Sequence, residues 1–121
     1  MPLKHYQELI AWQKAMDFAE VVHGLTLKFP RHEMFGLSSQ LRRSAVSVPS
    51  NIAEGQGRGG TKEFVQFLNF SNGSLQEAET QIILAGRFHY LDHQQVNTTL
   101  DLAAEVGRIS NGLIRSLIRK K

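Results

Sequence analysis

The sequence contains no cysteine, so disulfides, thiolate metal ligands and cysteine nucleophiles are excluded. No stretch approaches the roughly 18 consecutive apolar residues of a membrane-spanning helix. The opening MPLKHYQELIAW lacks the apolar run and small-residue cleavage site of a secretory signal, so the expected location is cytoplasmic. Catalytic signatures are also missing: there is no HExxH, no GxSxG, no Walker-type lysine and no defined carboxylate pair. The histidines His5, His23, His32, His89 and His93 make no zinc pattern. His89 and His93 are four apart but straddle a turn, and would clamp a metal with Asp92 only if that turn were helical. These absences lead to the expectation of a protein that is not an enzyme and holds neither cofactor nor metal.

What is present fits one domain over residues 1–121. Hydrophobic residues make up 41% and charged residues 21%, ordinary globular values, and the length allows one modest core. The net charge of +3 is mild, but its distribution is uneven. From Arg108 to the end lie Arg108, Arg115, Arg119, Lys120 and Lys121 with no acidic residue, whereas Thr61 to Thr80 holds Glu63, Glu77 and Glu79 against Lys62. The basic tail reads either as an anion-binding surface or as cations favoured by a helix C-terminus.

Hydrophobic periodicity predicts four helices. The first spans about Tyr6 to Lys28, with Leu9, Trp12, Met16, Ala19, Val22 or His23, and Leu27 along its stripe and Ala15, Phe18 and Leu25 beside it; Phe29-Pro30 ends it. The second spans Glu33 to about Glu54 and is built from small residues, including Ser44, Ala45, Ser47 and Ala53, which permit close approach to neighbours. Pro49 removes the bond to the Ala45 carbonyl and predicts a kink, with a break at Ser47-Val48 as the alternative. Gly55 to Gly60 predicts a mobile loop without a nucleotide-binding fingerprint, followed by Thr61 as N-cap. The third helix runs to about Phe88, with a break at Asn72-Gly73 as the alternative. Asp92 with Gln95 predicts a capping box for a fourth helix reaching about Ile118. Short links make consecutive helices antiparallel neighbours, so the expected fold is an all-α, up-and-down four-helix bundle. Apolar residues flanking the stripes of the third and fourth helices predict a subunit interface.

Four blocks carry a resemblance. They are Tyr6 to Ala15, in the pattern aromatic-x-x-Leu-x-x-Trp-x-x-Ala; Phe29 to Leu37; Gln40 to Gly55, QLRRSAVSVPSNIAEG; and Glu63 to Leu68 with Gly73 to Gln81. In this order they resemble the four-helix-bundle family encoded in intervening sequences of bacterial 23S rRNA genes, the S23 ribosomal protein family. They are also similar to the accessory protein of diversity-generating retroelements. The resemblance implies four-helix subunits in a cyclic oligomer, a homopentamer above all. The retroelement relative implies RNA or DNA as ligand and a protein partner such as a reverse transcriptase. The rRNA-associated members imply no established biochemical activity.

The candidate nucleic-acid-binding residues are Arg42, Arg43, Arg58, Arg108, Arg115, Arg119, Lys120 and Lys121. Guanidinium forks suit phosphate oxygens and would contact them without reading sequence. For Arg42 and Arg43 the competing reading is a bond to a neighbouring helix, with Glu54, Glu77 or Glu79 as partners. Asn51 and Glu54 read as a structural network around the proline. Trp12 reads as core by its spacing, or as a base-stacking platform. The expected function is nucleic-acid backbone binding by an oligomeric bundle; the alternative is a protein-interaction or assembly scaffold with no nucleic-acid ligand.

Overall fold

A computed structural model describes residues 5–119. A 3-10 turn (His5–Glu8) precedes α1 (Ile10–Thr26), a second 3-10 turn (Arg31–Glu33) precedes α2 (Leu37–Gly57), and α3 (Thr61–Arg87) and α4 (His93–Arg119) follow. No strand occurs among the described residues. Helix α2 packs against α1 and α3, α4 packs against α3 and α1, and α2 and α4 do not meet. The core lies along the middle of this arrangement. It holds Phe18 and Val22 from α1, Leu41, Val48 and Ile52 from α2, Leu68 and Ile82 from α3, and Val106 from α4, all with no exposed surface. Each such side chain contributes about 1.5–3 kcal/mol through its removal from water.

Helix α1 is shorter than its periodicity suggests and is rotated. Leu9 is extended (φ −73, ψ 127) and separates the first 3-10 turn from the helix. At the other end Lys28 and Phe29 bond to the carbonyls of Leu25 and Thr26, a tightened last turn that ends the helix before Pro30 is reached. The buried face is Ala11, Ala15, Phe18, Val22 and Thr26. Met16 and Leu27, expected on the stripe, are 44% and 66% exposed. Apolar residues on α1 cover so wide an arc that periodicity alone does not set its rotation.

Helix α2 begins at Leu37, four residues after the expected start. Glu33 lies in the preceding turn and its Oε1 accepts the Leu37 amide at 3.0 Å, serving as a cap from outside the helix. The helix continues through Pro49 without a break. Around the proline, side chains add donors to three successive carbonyls: Ser50 Oγ to Val46 (2.8 Å), Asn51 Nδ2 to Ser47 (2.8 Å) and Ser71 Oγ to Val48 (2.9 Å). The glycine-rich loop shrinks to Arg58–Gly60, because α2 runs on to Gly57. Gly59, at φ +82, makes the turn. Gly60 is the N-cap of α3 in place of the expected Thr61, with no side-chain cap.

Helix α3 passes unbroken through Asn72-Gly73. The capping box of α4 forms as expected, with the Gln95 amide on Asp92 Oδ1 at 2.8 Å and the Asp92 amide on Gln95 Oε1 at 2.9 Å.

The seam between α2 and α3 is narrow and polar. Ser44 Oγ donates to Gln81 Oε1 at 2.7 Å, and Ser47 and Ser74 hydroxyls are 2.8 Å apart. A Cβ added to the buried Gly55 would lie 2.5 Å from Phe67 Cβ. The glycine is therefore needed for helix contact, not for a turn. Substitution Gly55→Ala should cost roughly 1–3 kcal/mol, because Phe67 Cβ is fixed to its backbone and cannot rotate aside. Gly73→Ala meets open space on the same α3 and should stabilise by about 0.5–1 kcal/mol through helix propensity. Urea unfolding of the two variants checks this pair of opposite signs.

A hydrogen-bonded clamp closes one end of the bundle. The Tyr90 hydroxyl donates to Glu33 Oε2 at 2.8 Å and lies 3.3 Å from His32 Nε2, while its ring packs beside Phe29 and Phe88. The Leu37 amide first, and then the Tyr90 hydroxyl, hold the Glu33 carboxyl below its ordinary value. The bond to Glu33 in turn raises the Tyr90 hydroxyl. Because folding favours ionised Glu33, its stabilisation is complete above the ordinary carboxylate range and is lost as pH falls through the lowered value. Glu33→Gln should lower the thermal midpoint at pH 7 and make the loss of stability between about pH 5 and pH 2 shallower. Thermal melts across that range test it; slopes equal to the parent's would contradict the assignment.

Candidate nucleic-acid interface

The sequence-predicted arginines fall into two groups that the fold keeps apart. Arg42 and Arg43 lie on α2 and Arg58 just beyond its end, whereas Arg108, Arg115 and Arg119 lie on the diagonally opposed α4. Lys120 and Lys121 lie outside the described residues.

Two of the first group are engaged inside the chain. The half-buried Arg42 donates from Nε to Thr26 Oγ1 at 2.7 Å, tying α2 to the last turn of α1. Arg58 Nη2 donates to Glu54 Oε2 at 2.7 Å, one helical turn away, and its guanidinium sits 4.9 Å from the Phe67 ring centroid. Arg43 is exposed, and the expected bridge to Glu54, Glu77 or Glu79 does not form. Glu54 is taken by Arg58, and Glu77 Oε2 lies 3.5 Å from Gln81 Nε2. Partial burial raises the Glu79 carboxyl above its ordinary value, with no cation beside it among the described residues.

The second group shares a face. Arg108, Arg115 and Arg119 are exposed and have no ion pair or side-chain hydrogen bond among the described residues. Their spacings of seven and four residues bring all three within about 20° of one direction on the helix, at axial separations of roughly 10 and 6 Å. Gly112 lies alongside: a Cβ there would make ordinary contact with Arg115 Nη2 at 3.8 Å. Together Gly112, Arg115, Ser116 and Arg119 line a shallow cleft of about 480 Å³. The acid of α4 nearest this stretch, Glu105, faces α1 and pairs with Lys14 at 3.6 Å.

The remaining candidates are structural in their contacts. Asn51 bonds back to the Ser47 carbonyl and hydroxyl. Trp12 is half-buried against the core and meets Tyr6 edge-to-face at 5.4 Å. His89 and His93 line a cavity at the α3–α4 turn, and among the described residues no three His, Asp or Glu side chains are grouped to hold a metal ion. No helix among the described residues is long and apolar enough to cross a membrane.

Several features had no clear sequence signal. The clamp of Glu33 and Tyr90 joins residues 57 positions apart. Ser110, fully buried on α4, has no hydrogen-bond partner among the described residues. Exposed apolar side chains are also distributed differently from the expectation. Phe70, Ile83 and Leu84 lie on α3, but Ile10, Met16 and Val21 lie on α1 and Val46 on α2, while α4 contributes Ile118. Phe35, in the α1–α2 connection, is 92% exposed.

Comparison with known proteins places the fold. A crystal structure at 1.70 Å of a protein of unknown function from the S23 ribosomal protein family of Bacteroides thetaiotaomicron superposes with a TM-score of 0.78. It is 23% identical and the match covers 87% of this chain and 98% of that one. No curated protein matches significantly. The sequence profile of the 23S rRNA-intervening sequence protein family matches residues 7–112. With most of its length inside that match, the chain belongs to the 23S rRNA-intervening sequence protein family.

Proposed function

We propose that this protein is a non-enzymatic, cytoplasmic helical-bundle protein that binds nucleic-acid backbone without base preference through α4. The observation that carries the reading is the unpaired, exposed arginine stripe Arg108, Arg115 and Arg119 on one helix face. Phosphate oxygens match guanidinium forks, and three cations in a row neutralise successive phosphates while reading no base edge. Arg43 offers a second, separate contact point. Arg42 and Arg58, already bonded within the chain, serve the fold in this reading.

One subunit carries too few free cations for tight binding. A closed cyclic homo-oligomer of antiparallel up-and-down bundles repeats the stripe and raises its effective concentration along one strand. The adjacency of consecutive helices supports that topology. Exposed Phe70, Leu84 and Val46 are apolar surface for subunits to cover, and the family resemblance favours five copies. The same apolar surface supports a second reading, an assembly scaffold whose partner is another protein, such as a reverse transcriptase.

Fluorescence anisotropy of labelled RNA and single-stranded DNA at low salt decides between them. Binding should fall steeply with salt, and the double substitution Arg115→Gln/Arg119→Gln should weaken all sequences alike and reduce the salt slope by roughly 0.7 per lost contact on a single strand. No signal at protein concentrations on the order of tens of micromolar would overturn the nucleic-acid reading. Light scattering of the same sample should report a closed oligomer; a monomer at micromolar concentration would remove the ring.

A further inference from the structure

The α3–α4 turn borders a half-open cavity of about 430 Å³ whose apolar lining includes Ile83, Gly86, Leu91 and Val96. That volume is in the range of small-ligand sites. Arg87, His89 and His93 also line it, and none has an ion pair or side-chain hydrogen bond among the described residues. Asp92 is the cavity's carboxylate, and its Oδ1 is occupied by the Gln95 amide in the capping box. Cationic and imidazole donors therefore lie beside the apolar lining without an internal partner.

The backbone adds an independent observation. The C-terminus of α3 closes with the Tyr90 amide on the Ala85 carbonyl (2.9 Å) and the His89 amide on the Gly86 carbonyl (3.0 Å). This pattern puts residue 89 in the left-handed region, at φ 65, where glycine is least costly. The chain instead holds a histidine there, and this residue lines the cavity. A strained residue beside a cavity is a recurrent mark of a ligand site.

We propose that this cavity binds a small apolar monocarboxylate, aromatic or medium-chain, with Arg87 and His89 holding the carboxylate and Ile83, Leu91 and Val96 burying the apolar body. An inorganic phosphate would leave the apolar lining unused, and a neutral apolar molecule would leave the guanidinium without a partner. The site is independent of the arginine stripe, which begins at Arg108, fifteen residues further along the chain than His93.

The test is an NMR titration of the full chain with sodium benzoate, and with benzyl alcohol as the neutral analogue of similar size. Saturable shifts should centre on the methyl groups of Ile83, Leu91 and Val96. Benzoate should bind roughly tenfold more tightly than benzyl alcohol, and Arg87→Gln should remove most of that difference while leaving benzyl alcohol unaffected. His89→Gly should raise the thermal midpoint by a few degrees, by releasing the left-handed strain, yet weaken benzoate. No saturable shift up to about 10 mM benzoate, equal binding of the two probes, or unchanged benzoate affinity in Arg87→Gln would each overturn the proposal.

Discussion

Helices α2 and α3 approach so closely that no β-carbon fits between Gly55 and Phe67, and much of the architecture follows from that distance. Close approach requires small side chains, and α2 supplies Ser44, Ser47 and Gly55 along this seam. Small side chains bury little apolar area each, so the seam relies on backbone proximity and on the satisfaction of every hydroxyl it encloses. Ser44 meets Gln81, Ser47 meets Ser74, and Ser71 meets the Val48 carbonyl. The same packing explains why Pro49 does not end α2. Proline is tolerated where tertiary contacts hold both flanks, and Val48 and Ile52 on either side are fully buried in the core.

One end of the bundle is held by longer-range bonds. Glu33 is bound at once to the first amide of α2 and to a tyrosine that follows α3, so one carboxylate couples two connections. Arg42 ties α2 to α1 through Thr26. These bonds draw polar groups inward at the same end as Phe29 and Leu91, which close the core there. Ser110 is the exception, a buried hydroxyl on α4 without a partner among the described residues. Such a group costs about 1–3 kcal/mol relative to a satisfied one, and nothing in the structure explains its retention.

The charge pattern follows from this division of labour. Cations next to the packed α2 face are drawn into intramolecular bonds, as Arg42 and Arg58 show. Helix α4 has no such use for its arginines. Its bridge to α1 involves Glu105, and the arginine face beyond it stays in solvent. A free cationic surface is therefore a product of where packing leaves charges alone, not of how many the chain carries.

Much was legible in the linear order of residues, and the limits are physical. A 3.6-residue period identifies a helix wherever one face is apolar, so all four helices could be found, as could the Asp92–Gln95 box, whose partners are three residues apart. That Arg108, Arg115 and Arg119 share a face is likewise a matter of spacing along one helix. Family membership was legible too, because it rests on local blocks such as QLRRSAVSVPSNIAEG. The rotation of α1 was not, since its apolar arc is wide enough to be buried in more than one orientation. Gly55 read as a loop residue because its purpose is Phe67, on another helix. The fate of Arg42, sixteen residues from Thr26, and of Glu33, far from Tyr90, depends on which helix ends meet. The sequence by itself determined the helices, the capping box of α4 and the shared face of its arginines, because those depend on neighbours within a turn or two. Only the tertiary structure decided which arginines remain free, which glycine is a contact and which carboxylate is a clamp, because each depends on groups that the chain brings together only when it folds.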